Sequence, residues 1–282
     1  MTRALVLGGG GSAGNAWEIG VIAGLVDAGL DVTEADLIVG TSAGATVAVQ
    51  VTSAPPSELY AAVANTPVRP RGGPAPVVDH LERTNRIIAA AADAADMRRR
   101  MGAAALELEA GSDESRQARW RATVAARLPS QQWPQRALLV TAVDAHTGEP
   151  VVFDRDSGVD LVDAVAASTS SGAAYRIDDR GYIDGGYRRN ENADLASGCD
   201  RVLVLSPFGG RSRHPDSWGM QLTAQVDELR STGSRVETIV PTPDVEDIFG
   251  VNAMDPSLRA PAARAGYQQG RARSEELTAF WR

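Results

Sequence analysis

Apolar runs in this chain are short, and glycine punctuates most of them. Ala4–Leu7 is four consecutive apolar residues, the mark of a strand buried on both faces. A loop rich in glycine, Gly8 to Gly14, follows it. Ile19, Ile22, Ala23 and Val26 then recur at helical spacing, with Gly29 placed to stop the helix. Leu37–Val39 is the next apolar run and leads at once into Gly40-Thr41-Ser42-Ala43-Gly44. Small and β-branched residues continue to Thr52, and Pro55-Pro56 closes that helix. Strand, loop, helix, strand, turn and helix in this order predict an α/β fold built on a parallel sheet.

Strands resume at Ala137–Val143 and Val151–Phe153, with "DAHTGEP" as the turn between them. A short helix over Leu161–Ala167 precedes "YRIDDRGYIDGG", which reads as strand, turn and strand. Arg201–Leu205 and Val236–Val240 predict two more strands, and helices are expected near Asp216–Ser231 and Pro256–Trp281. The result is a central, mostly parallel sheet flanked by helices, in a single domain spanning 1–282. Residues 57–135 differ in character: "RPRGGPAPVV" is a Pro/Gly loop and "RIIAAAADAADMRRRMGAAALELEA" an alanine-rich helix. They read as a helical insertion over the sheet, and about 210–282 as a mainly helical C-terminal extension. Arg98-Arg99-Arg100 reads as a solvated helix face ahead of a phosphate contact. Trp120 and Trp133 read as packing of the insertion ahead of an acyl site.

The hydrophobic fraction of 43% and charged fraction of 23% are those of an ordinary globular chain. A formal net charge of −8 argues against nucleic acid as a partner and gives no help toward anionic membranes. The first strand begins almost at Met1, which leaves no room for a signal peptide, and no run of about 18 apolar residues exists. The one cysteine, Cys199, excludes an internal disulfide and reads as a small buried hydrophobe. A reducing cytoplasm is the expected compartment.

Two stretches satisfy G-x-S-x-G: Gly10 to Gly14 around Ser12, and Gly40 to Gly44 around Ser42. Either match alone is weak, because such patterns arise by chance. Position decides between them. Ser42 follows a strand on a tight turn and opens a helix of small residues, the setting that exposes a nucleophilic hydroxyl. Ser12 follows four glycines, a loop suited to presenting backbone N–H groups to negative charge at a helix N-terminus. Acyl transfer needs both pieces, so Ser42 is the expected nucleophile and Gly8–Gly14 the oxyanion loop.

The base is either a histidine or Asp184. His80, His146 and His214 are the three histidines, and Ser42, Asp184 and His214 follow the chain order of an α/β-hydrolase triad. That fold places several strands before its nucleophile, whereas one βα unit precedes Ser42 here. "GGRSRHPDSW" around His214 reads as an exposed loop. Asp184 closes a strand ahead of Gly185-Gly186, and Asp178-Asp179-Arg180-Gly181 already makes the hairpin turn. A dinucleotide-binding module also fits Gly9 to Gly14, but it needs an acidic residue at the end of the second strand, where Ser42 stands. An acyltransferase using Ser42 and a catalytically silent scaffold remain as further readings.

Taken together, these stretches resemble the patatin-like phospholipase family. The resemblance rests on the ordered triple of Gly9 to Gly14 after the first strand, Gly40-Thr41-Ser42-Ala43-Gly44, and Asp184-Gly185-Gly186 far downstream. "IGVIAGL" after the loop and "ASTSSGAAYRI" ahead of the aspartate agree with it, and the likeness covers about 3–55 and 160–206. It implies a three-layer α/β/α fold and a serine acyl hydrolase acting on lipid or other acyl esters. It further implies a Ser42–Asp184 dyad, an oxyanion hole of Gly9, Gly10 and Gly11, no cofactor, no metal, and transient contact with a membrane surface. Two positions depart from the family pattern: Ala13 stands where a basic residue is common, and Gly172 lies where a proline is common. The first points to generic ester hydrolysis ahead of phospholipase activity.

Overall fold

The computed structural model describes residues 1–65, 77–113 and 115–282; the Pro/Gly loop read from "RPRGGPAPVV" lies, up to Pro76, outside them. Among the described residues eight strands form one sheet. At its centre β1 (Arg3–Leu7), β2 (Leu37–Thr41) and β3 (Ala137–Asp144) run parallel. On the far side of β1, β7 (Arg201–Leu205) and β8 (Arg235–Ile239) extend the parallel set. β3 also takes antiparallel partners: β4 (Pro150–Phe153) on the edge away from β2, and β6 (Arg180–Asp184) past the end of β2, with β5 (Tyr175–Ile177) on β6.

Alternation along the strands divides the core into two layers. Leu5, Leu7, Ile38, Leu203 and Leu205 face α1 (Gly11–Asp27), α2 (Ala43–Ser53), α3 (Pro56–Ala64) and α7 (Leu161–Ser168), together with α9 (Arg259–Trp281). Ala4, Val6, Val202 and Val204 face α8 (Leu222–Ser231) on the opposite side. Further along that side, α4 (Val77–Ala90) and α5 (Ala94–Ala110) cover Val143 and Ile183. The three-layer α/β/α arrangement is therefore the observed one. Helix α6 (Ser115–Ala125) completes the helical stretch expected between 57 and 135. Trp120 and Trp133 pack against the core, and their ring nitrogens donate to the carbonyls of Ala166 and Val159 at 3.2 and 2.8 Å.

Close approach of α1 and α9 fixes the geometry of the glycine loop. Both helices carry Gly-x3-Gly, at Gly20 and Gly24 and at Gly266 and Gly270. A Cβ on Gly20 would stand 2.1 Å from the Ala263 carbonyl oxygen, and one on Gly266 2.3 Å from that of Trp17. Only glycine lets these backbones touch, and the start of α9 is thereby held over the start of α1. The helix expected near Asp216–Ser231 is shorter than predicted. It divides into a 3-10 turn at Asp216–Trp218 and α8, because Gly219 takes a left-handed conformation (φ 64°) between them.

Candidate active site

Strand register alone brings the two ends of the site together. Thr41, the last residue of β2, pairs with Thr141, and Asp184, the last residue of β6, pairs with the next residue of β3, Ala142. β4 occupies the other edge of β3 over the same positions, so β2 and β6 lie end to end along one edge. Ser42 and Asp184 thus meet head-on. The Ser42 hydroxyl donates to Asp184 Oδ2 at 2.7 Å.

Ser42 sits on a strained turn, with φ 53° and ψ −116°. For a residue with a side chain this region costs about 1–3 kcal/mol and persists only where its surroundings hold it. Its N–H donates to the Ser168 hydroxyl at 2.9 Å, and its carbonyl accepts from Ala45 N–H at 3.1 Å in the first turn of α2. Gly44 packs on β1, where a Cβ would stand 2.1 Å from the Leu7 carbonyl oxygen; at Gly40 a Cβ would stand 2.6 Å from Ala45 Cα. Any side chain at either position would push the turn away from the sheet.

Asp184 is 8% exposed, and burial raises its pKa to about 6 against the opposing pull of its hydrogen bonds from Gly186 N–H and Ser42. The Gly186 N–H bond to Oδ1 is 2.8 Å long and leaves Oδ2 to Ser42. Gly185 stacks on β3, where a Cβ would stand 2.3 Å from Thr141 Oγ1. Fully buried Asn192 ties the strand ends together: its Nδ2 lies 2.9 Å from Thr41 Oγ1 and 3.2 Å from the Gly185 carbonyl. A carboxylate with a pKa near neutrality, bonded to a strained serine, is equipped to accept that serine's proton.

The glycine loop lies beside Ser42: a Cβ on Gly9 would come within 3.5 Å of Ser42 Cβ. Gly8 N–H donates to the Leu205 carbonyl at 3.0 Å and Gly9 N–H to the Asn190 carbonyl at 2.9 Å. Gly9 therefore has no free amide, in contrast to the expectation of three donors, and contributes close approach instead. The amides of Gly10 and Gly11 meet no acceptor among the described residues. Gly10 and Gly14 pack on Pro207, where added Cβ atoms would stand 2.5 and 3.0 Å from its Cβ. Ser12 is not placed with Asp184. Its carbonyl accepts from Arg259 Nη1 at 2.9 Å, while Arg259 Nη2 donates to Asn15 Oδ1 at 2.9 Å. A guanidinium from α9 thus stands at the loop although Ala13 supplies none.

Among the described residues no histidine bonds to Ser42 or Asp184. His214 is half-buried, not exposed as its sequence context suggests. Its Nδ1 lies 2.7 Å from Ser212 Oγ, and burial, with Arg213 nearby, lowers its pKa to about 4. His80 sits beside Arg83 and is also depressed by burial; His146 is exposed in the turn after β3. Cys199 is free and half-buried.

Ser168, which lies within "ASTSSGAAYRI", carries the site's architecture together with Asn190, Asn192 and Arg259, and nothing in the immediate sequence of those three marks them as structural. The one available signal is the dense polar block "YRRNEN" after Asp184-Gly185-Gly186: a simple loop would be solvated, whereas Glu191 and Asn192 are 1% and 0% exposed.

No curated protein matches the chain. Among solved structures, the type III effector protein ExoU superposes with a TM-score of 0.35 at 16% sequence identity, over 96% of this chain and 53% of that one. This chain therefore spans about half the length of that effector. A family model described as patatin-like phospholipase matches residues 5–197, which include the glycine loop, the Ser42 turn and Asp184. The chain belongs to the patatin-like phospholipase family.

Proposed function

We propose that the chain hydrolyses lipid or other acyl esters through a Ser42–Asp184 dyad. One observation carries this reading: a strained serine hydroxyl donates at 2.7 Å to a buried carboxylate whose only other hydrogen-bond donor among the described residues is Gly186. Asp184 takes the Ser42 proton as Oγ attacks the ester carbonyl. The oxyanion that forms is stabilised by the Gly10 and Gly11 amides and by the N-terminal end of α1, with the Arg259 charge adding to the same field. Collapse expels the alcohol, which leaves with the proton from Asp184. Water then repeats the sequence on the acyl-enzyme and releases the acid.

Pro207, which packs on Gly10, also lines a cleft of about 150 Å³ with Arg211, Val240, Pro243 and Phe249. Val251 and Met254 are 67% and 54% exposed in the segment against Gly11, and a substrate in a lipid surface would meet them first. No helix among the described residues is long and apolar enough to cross a membrane. No group of three or more His, Cys, Asp or Glu side chains converges there as metal ligands.

The test is a panel of p-nitrophenyl esters of graded chain length, together with intact phospholipids, assayed with and without a chelator. Hydrolysis that survives chelation is expected. Absence of hydrolysis across the panel by folded protein, or activity that needs calcium, would contradict the reading.

A further inference from the structure

The opposite edge of the sheet carries a second concentration of chemistry. Arg3, Arg201 and Arg235 occupy the first positions of β1, β7 and β8 and pair with one another in register. In parallel strands such partners point to the same face, so three guanidiniums stand in a row. The last turn of α9 covers them. Arg3 lies over the Trp281 ring at 5.7 Å, and Arg235 over the Phe280 ring at 5.6 Å. The two rings are 6.3 Å apart, and Arg201 falls between their arginines in the register.

What this cluster lacks is an acceptor. Arg201 is 7% exposed, and its Nε and Nη1 are buried without a hydrogen-bond partner; Trp281 Nε1 is buried in the same condition. Among the described residues none of the three arginine side chains has an ion pair or a hydrogen bond. Nearby carboxylates make no hydrogen bond or ion pair with these guanidiniums, although the Arg201 charge adds to the Thr2 N–H bond in holding the Asp200 carboxyl below its usual range. Asp36 accepts from the Arg3 backbone N–H at 2.7 Å, Asp200 from Thr2 N–H at 2.6 Å, and Glu237 pairs with Arg273 at 3.7 Å. Buried donors are almost always satisfied, and a buried cation is paired or destabilising. Three orphaned donors between two further guanidiniums, in a chain of net charge −8, have the chemistry of an anion site.

We propose that Arg3, Arg201, Arg235 and Trp281 Nε1 bind a phosphate-type oxyanion, either free or as a lipid headgroup. Its several oxygens match the fork of Arg201 and the indole N–H, and the outer arginines supply charge. Arg201 Nε and Nη1 are closed to solvent, so entry needs a transient opening of the last turn of α9, which then returns Trp281 Nε1 to the ion. The site lies at the strand N-termini, away from Ser42, and stands independently of the catalytic reading.

Thermal unfolding of the full chain in inorganic phosphate, against chloride at matched ionic strength and pH, tests this. A saturating rise in Tm of at least about 3 °C is expected for the unaltered protein. Arg201→Met should unfold no lower than the unaltered protein in chloride, because it removes an unpaired buried charge, and should lose the phosphate response. Arg235→Gln, at an exposed position, should lower Tm in chloride by no more than about 2 °C, the loss of its stacking on Phe280, and raise the half-saturating phosphate concentration about tenfold, roughly 1.4 kcal/mol of binding. Flotation with phosphatidylcholine vesicles carrying phosphatidic acid separates the sources. Co-flotation lost in Arg235→Gln assigns a headgroup, and a phosphate response without flotation assigns the free ion. The inference is overturned if the unaltered protein responds alike to phosphate and chloride and does not float. It is equally overturned if Arg235→Gln keeps the full phosphate response, whether or not Arg201→Met folds.

Discussion

Asp184 should make the protein less stable while it makes it active, and the two effects are separable by pH. Burial lifts its pKa from an ordinary 3.8 to about 6, and the bonds from Gly186 and Ser42 offset only part of that. A carboxyl with a higher pKa in the folded chain holds its proton better folded than unfolded. Its stabilising contribution is therefore complete below about pH 3.8 and is lost as pH rises through about 6. Roughly two pH units at 1.36 kcal/mol each give about 3 kcal/mol of destabilisation at pH 8. Asparagine keeps the shape, accepts the Gly186 N–H through its amide oxygen and carries no charge to desolvate. Asp184→Asn should therefore be about 2–3 kcal/mol more stable than the unaltered protein at pH 8, or about 5 °C in Tm, with the gain vanishing near pH 4. The variant should be inactive throughout, whereas the unaltered enzyme's kcat/KM should rise through about pH 6 to a plateau. Thermal unfolding of both proteins between pH 4 and 8 is the assay. A variant less stable at pH 8, or a Tm difference that does not change with pH, would refute the reasoning.

Three further outcomes follow from single contacts. Ser168→Ala removes the acceptor of the Ser42 N–H and should lower stability by about 1–3 kcal/mol and kcat/KM by at least about tenfold, read by urea unfolding and ester hydrolysis. Gly266→Ala pushes a methyl group toward the Trp17 carbonyl and should destabilise by about 1–3 kcal/mol, with an unchanged m-value in urea. Arg259→Gln withdraws the charge held at Ser12 and should lower kcat about tenfold with little change in KM for a neutral ester.

Much of the fold was legible because the central strands are uninterrupted apolar runs. β7 was predicted to the residue, and β1, β2 and β8 to within two residues at either end. Buried parallel strands leave little room for another reading. The Ser42 turn and Asp184 were legible as motifs, but their meeting depends on β2 and β6 sharing one edge of β3, a register no local pattern encodes. Ser168 and Asn192 are ordinary polar residues whose burial exists only once the sheet is formed. Gly9 was misread as a donor because its acceptor, the Asn190 carbonyl, is about 180 residues away. The Gly-x3-Gly pairs of α1 and α9 are visible in the sequence, yet nothing there says that they face each other. Gly219 could have divided the segment at Asp216–Ser231 on propensity alone, and the apolar spacing beyond it masked that break.

The central claim is that Ser42 and Asp184 act as one unit without a histidine. The most direct measurement is kcat/KM on one short-chain ester for Ser42→Ala, Asp184→Asn, the double variant and His214→Ala, each checked for folding by thermal unfolding. Residues that act as a unit lose function non-additively, so the first three should be equally inactive, and the double variant no worse than either. His214→Ala should stay within about tenfold of the unaltered enzyme, at most roughly 1.4 kcal/mol on the barrier. A folded His214→Ala as inactive as Ser42→Ala would contradict the dyad and put a histidine in the catalytic machinery.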